Sequence, residues 1–170
     1  GVTFSKIEES YWTPYHDVIA VDANDFTTLL SGDALKLDAG TTVVVTAWAL
    51  EGEADVYLQT RAMHDLYASG GVGQLFIQDL DLQSVIDSDS DSWTVPQELD
   101  GEELLVVVDN TDSPVGGGVG DSNIRISVRV ELAPVIDPII NALNNGTTTI
   151  GQTLSLDAND SPNKIGQISA

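Results

Sequence analysis

Asp87, Asp89 and Asp91 alternate with serines, and Glu98 stands at the twelfth position counted from Asp87. Carboxylates at positions one, three, five and twelve are what a calcium loop requires, because alternate side chains turn toward one point and a closing glutamate supplies two oxygens. Two residues oppose that assignment. Ser92 fills the sixth position, where the sharp turn needs glycine, and Pro96, with no flanking helices, breaks the helix-loop-helix frame. An Asp-Ser run is also what a solvated acidic surface carries, so the expectation is a solvated loop that binds calcium weakly at best and needs no cofactor.

Other residues that could do chemistry are poorly placed for it. His16 and His64 each precede an aspartate, but neighbours on a strand point to opposite faces, which defeats a base and its orienting carboxylate. The adjacent pairs Glu8-Glu9 and Glu102-Glu103 fail for the same reason. Gly116-Gly117-Gly118-Val119-Gly120 lacks the Lys-Ser/Thr of a phosphate loop and precedes a strand rather than a helix. There is no cysteine, hence no disulfide, thiolate ligand or sulfur nucleophile. An enzyme is not expected. Tyr11, Trp12 and Tyr15, with Trp48 and Trp93 elsewhere, offer aromatic surface that beside Asp and Asn could stack on sugar rings, although Trp48, in mid-strand, is expected in the core.

The elements that must position these residues read as strands. Runs rich in Val, Ile, Thr and aromatics, separated by turn chemistry, predict about ten of them. The clearest span 41–50, 54–60, 74–78, 103–109 and 123–132; weaker ones span 2–7, 16–21, 26–30 and 35–37. In the last clear strand Ile124, Ile126, Val128, Val130 and Leu132 alternate with Arg125, Ser127, Arg129 and Glu131, giving one apolar and one wet face. Leu104 to Val108 is continuously apolar, the mark of a central strand covered on both faces, a neighbouring subunit being one possible cover. Residues 79–92 are assigned to a loop. Glu51-Gly52-Glu53, Asp100-Gly101 and 112–120 are turns. After Pro134 the period changes: Asp137-Pro138 starts a short helix that Gly146 ends, and Gly151-Gln152 suits a hairpin. The fold class is therefore all-β, an antiparallel β-sandwich of single jelly-roll type over residues 1–134, with a short C-terminal helix and an extended or hairpin tail over 135–170 that acts as an assembly arm.

Charge bounds the partners. Only six Lys and Arg face 27 Asp and Glu, a net charge of −21. Such a chain repels nucleic acid and anionic lipid, and no apolar stretch reaches the roughly 20 residues of a membrane helix, so neither nucleic-acid binding nor direct membrane insertion is expected. At molar salt the screening length falls to about 3 Å and self-repulsion largely disappears. The scarcity of lysine, which survives at Lys6, Lys36 and Lys164, is the pattern of proteins adapted to concentrated salt.

The phrases Leu37-Asp38-Ala39-Gly40-Thr41-Thr42-Val43-Val44-Val45-Thr46, Ala54-Asp55-Val56-Tyr57-Leu58, Trp93-Thr94-Val95-Pro96 and Leu105-Val106-Val107-Val108-Asp109-Asn110-Thr111 resemble β-sandwich domains of haloarchaeal surface proteins. In size and acidity, and in lacking a leader, the chain is also similar to single jelly-roll capsid proteins of haloarchaeal icosahedral viruses. These resemblances imply a non-enzymatic structural subunit of a virion that self-associates and contacts other structural subunits. The alternatives are a subunit of an extracellular filament or surface layer, and, from another class, a carbohydrate-binding module.

Overall fold

A computed structural model describes residues 12–114, 118 and 120–134. The chain divides between Pro134 and Val135 into two units, and every element described belongs to the first. The expected strand at 2–7, and the helix and hairpin after Pro134, lie outside the described residues.

Eight strands are present among the described residues: β1 (Trp12–Val21), β2 (Asp25–Leu30), β3 (Thr42–Glu51), β4 (Ala54–Thr60), β5 (Leu82–Val85), β6 (Ser88–Thr94), β7 (Leu104–Asn110) and β8 (Ile124–Ala133). They form two four-stranded antiparallel sheets, ordered β1-β8-β3-β6 and β2-β7-β4-β5. The described part is mostly β, as an all-β sandwich requires. Each strand of the first half pairs with its mirror in the second half, β1 with β8, β2 with β7, β3 with β6 and β4 with β5.

One core joins the sheets. Val43, Val45 and Ala47 of β3 and the even-numbered apolar residues of β8 meet Val56 and Leu58 of β4 and Leu104, Val106 and Val108 of β7. Each fully buried Val or Leu contributes about 1.5–3 kcal/mol, against about 0–1 kcal/mol for an exposed ion pair such as Lys36–Asp33 at 2.8 Å. The core therefore decides stability, and the period-two pattern of β8 decides which of its faces enters it.

The outer faces of the two sheets differ. On the β2-β7-β4-β5 sheet, Tyr57, Gln59, Leu105, Val107 and Asp109 are buried from the side opposite the core. Their cover is the chain's own: helix α1 (Arg61–Ala68) lies against β4 and β7, and Phe76 stacks on Tyr57 at 4.5 Å. No subunit is needed to explain the continuous apolar run of β7. α1 starts where the Thr60 hydroxyl accepts the Met63 N–H at 3.2 Å and ends in Ser69-Gly70-Gly71, whose N–H groups return to carbonyls of the last turn.

Several expectations are corrected. Residues 74–78 are not a strand: Phe76 and Ile77 are buried in an irregular cover, tied by Ile77 N–H to the Leu58 carbonyl at 2.8 Å. The loop assigned to 79–92 holds β5 and β6. At 35–37 there is a 3-10 turn, Gly32–Leu35, then a single bridge from Lys36 to Glu103. Glu51-Gly52-Glu53 carries the chain from one sheet to the other rather than closing a hairpin. Trp48 faces outward, because the core takes Val43, Val45 and Ala47 and leaves the even positions of β3 outside.

Candidate functional site

Of the candidate calcium ligands, Asp89 and Asp91 lie on the edge strand β6. Register sets Asp89 opposite Ala47 and Asp91 opposite Val45, on the core side of β6, two residues and about 7 Å apart along an extended chain. Both carboxylates are occupied by backbone donors: Asp89 by Ser90 N–H at 2.8 Å, Asp91 by Ser92 N–H at 2.8 Å and Asp81 N–H at 2.7 Å. Asp87 precedes the strand and its carbonyl accepts Ala49 N–H, while Glu98 is exposed in the 3-10 turn Gln97–Leu99. A strand does not gather alternate carboxylates about one point, and among the described residues no three His, Cys, Asp or Glu side chains converge as a metal site.

The aromatic candidates are dispersed. Trp12 is 60% exposed at the start of β1, beside a shallow cavity of about 270 Å³ with Lys36, Asp38 and Thr41; Tyr15 and Trp93 pack partly against the core; Tyr11 lies outside the described residues. His16 sits on β1, its ring centroid 6.2 Å from that of Trp48. His64 is on α1, not a strand. Because the Gln59 amide nitrogen donates to the Leu75 carbonyl at 2.9 Å, its oxygen faces His64, whose Nδ1–H donates to it at 2.8 Å. Burial, then the Arg61 charge, lowers the His64 pKa, so this histidine stays neutral and positions Gln59.

Sequence reasoning missed a buried polar group under α1. Asp55 and Asp109 are register partners on β4 and β7, both fully buried. Asp55 accepts Tyr57 O–H at 2.8 Å and Ser84 N–H at 2.7 Å; Asp109 accepts Tyr67 O–H at 2.7 Å and both the N–H and the hydroxyl of Thr111 at 2.6 and 2.7 Å. Burial pushes the Asp109 pKa up, with the Asp55 charge adding to it and the Thr111 and Tyr67 hydrogen bonds opposing it. Burial foremost, with the adjoining carboxylates, also pushes both tyrosines far above their ordinary value, so they remain donors. A single aspartate in each of the otherwise uncharged strands Ala54–Thr60 and Leu104–Asn110 was the available signal.

Beside this group opens a cavity of about 330 Å³ lined by Asn24, Asp25, Phe26, Tyr67 and Thr111 among others, with the Phe26 and Tyr67 rings edge to face at 4.9 Å. Asn110 closes this end of the molecule: its buried amide donates to the carbonyls of Val21, Asp22 and Ser122 at 3.3, 3.0 and 2.8 Å, joining the β1–β2 turn to the approach to β8. Gly118 lies against the end of β7, where a Cβ would come within 2.6 Å of the Asp109 carbonyl, which gives this glycine a packing reason.

Among the described residues, no helix or loop segment packs on the opposite outer face, that of β1-β8-β3-β6. Arg129 lies 5.0 Å over the Trp48 ring and 3.2 Å from Glu131, and the Thr46 and Ser90 hydroxyls bond at 2.9 Å. No protein-family model and no curated protein sequence matches the chain.

Proposed function

We propose that the chain is a non-catalytic structural subunit that associates with copies of itself in a virion capsid or capsid surface of a halophilic archaeal virus, its sandwich being a single jelly roll. The observation that carries this reading is the mirror pairing of strands, β1 with β8 through β4 with β5, in two facing four-stranded sheets. Such pairing is what the wrapping of one long folded ribbon would leave, and it supports a jelly roll, an architecture used by capsid and lectin domains. Fold alone does not choose between those uses. The state of Asp109 supports the structural one: this carboxylate, whose pKa burial raises, is enclosed, with both oxygens engaged by Tyr67 and Thr111, the condition of a packing group rather than a reacting one. The net charge supports a salt-rich setting, in which such a chain can meet its like. An extracellular filament or surface layer would use the same properties.

The test is association of the purified chain at molar salt, by sedimentation and electron microscopy. Closed oligomers or regular particles are the expected result; a monomer at every salt and protein concentration would overturn the reading.

The second reading, a carbohydrate-binding module, is favoured by the cavity that sets Phe26 and Tyr67 beside Asn24, Asp25 and Thr111. Binding on a glycan array that is lost in Phe26→Ala would establish it in place of assembly.

A further inference from the structure

We propose that the open face of the β1-β8-β3-β6 sheet is where a second copy of this chain docks, face to face about a two-fold axis; this rests on the assembly reading above and names its contact. Charge carries the inference. In a chain of net −21, β6 turns only Ser88, Ser90, Ser92 and Thr94 to this side, and β3 turns Thr42, Val44, Thr46 and Trp48. β8 supplies Arg125 and Arg129, so the face has two arginines against Glu131 and, at its end, Glu51. The formal charges on the face balance, which leaves the whole acidic excess elsewhere on the molecule.

Contact between copies through acidic surface sets carboxylate against carboxylate. Here it does not, and a two-fold pairing can bring each arginine of one copy to a glutamate of the other, as a self-complementary patch requires. Arg125 is exposed and, among the described residues, holds no ion pair or hydrogen bond, an isolated cation on an acidic protein. Apolar surface lies between the charges: Val18 is 45% exposed, and Trp48 sits under Arg129, tryptophan and arginine being the types that dominate binding at interface centres.

The sheet edges point the same way. Inward-facing carboxylates at an edge oppose the addition of another strand, and register places Asp89 and Asp91 of β6 and Asp17 of β1 on the core side of the two edges. The far edge of the other sheet, β5, is only four residues long. Strand addition is thus disfavoured at these three edges, and the other outer face is covered by α1.

The test uses the full chain in molar salt. Val18→Glu, at an exposed position, adds a charge to the face and is expected to weaken self-association at least tenfold in sedimentation equilibrium with an unchanged circular dichroism spectrum; Glu98→Gln, off the face, is expected to leave it within twofold. Since the chain has no cysteine, Ser90→Cys gives a single spin-label site, and intermolecular dipolar broadening there, but not at Glu98→Cys, is expected on association. Association that persists in Val18→Glu without broadening at position 90 would overturn the docking face while sparing the assembly reading. A wild-type chain that stays monomeric would overturn both.

Discussion

At the scale of single residues, the informative ones are polar and buried. Asp109 is enclosed, and burial raises its pKa above the ordinary 3.8. A carboxyl raised in the folded state contributes stability that is fully present below the unfolded pKa and is lost as pH rises through the folded value, because the native state must then hold a charge away from water. Asp109→Asn keeps the shape and the acceptor for Thr111 while removing the titration. The melting temperature of the variant minus that of the wild type should therefore increase as pH goes from about 3 to 7; a constant or shrinking difference would show that Asp109 is not the group described. Asn110 answers the opposite substitution. Its amide meets three carbonyls, so Asn110→Asp sets a carboxylate against acceptors, and a loss of more than about 2 kcal/mol in urea unfolding is expected, since a buried polar group left unpaired costs about 1–3 kcal/mol and a charge more.

At the scale of elements, the crossing from β3 to β4 leaves no room for a side chain. Gly52 has φ of +86°, and a Cβ there would collide with the Ile124 side chain, so Gly52→Ala meets backbone strain and a core clash together. A destabilisation of about 2–4 kcal/mol by thermal or urea unfolding is the expected outcome, and a neutral substitution would mean the turn is not fixed as described. How much of such structure the sequence discloses depends on what each element packs against. β8 was legible because its alternation matches one buried and one wet face. β6 was not, since Ser and Asp have poor strand propensity and the segment is held by its ladder to β3 instead. α1 escaped notice because its eight residues are too few for a helical period to stand out, although Thr60 as cap and Gly70-Gly71 as stop were there to read. The 74–78 run has a strand's composition, but its apolar residues serve to cover another sheet. In β3 apolar residues occupy both parities, so nothing in the pattern told which side Trp48 would take. The carboxylate spacing of Asp87, Asp89, Asp91 and Glu98 was visible in sequence, whereas the pairing of Asp55 with Asp109 is set by long-range register, which no local pattern encodes.

At the scale of the whole molecule, charge and fold act against each other, and salt arbitrates. Twenty-one uncompensated negative charges surround a core whose burial supplies the stability, and four ion pairs among the described residues, three of them with an exposed or half-exposed partner, do little to offset the repulsion. Lowering salt from about 1 M to about 0.1 M lengthens the screening distance from about 3 to about 10 Å, so each carboxylate begins to feel neighbours that were hidden from it. Folded and unfolded chains carry the same charges, but the folded one confines them to a smaller volume and pays more for the loss of screening. The melting temperature should therefore fall steadily as salt is removed. It should fall alike in sodium chloride and potassium chloride, because general screening is the cause, and calcium at millimolar levels should not restore it beyond its contribution to ionic strength. Association should be lost before the fold, since two copies bring their whole charge together while the core remains intact. A melting temperature unchanged between 0.1 and 1 M salt would show that the acidic surface is tolerated without screening, and the salt-adapted setting would then lose its physical basis.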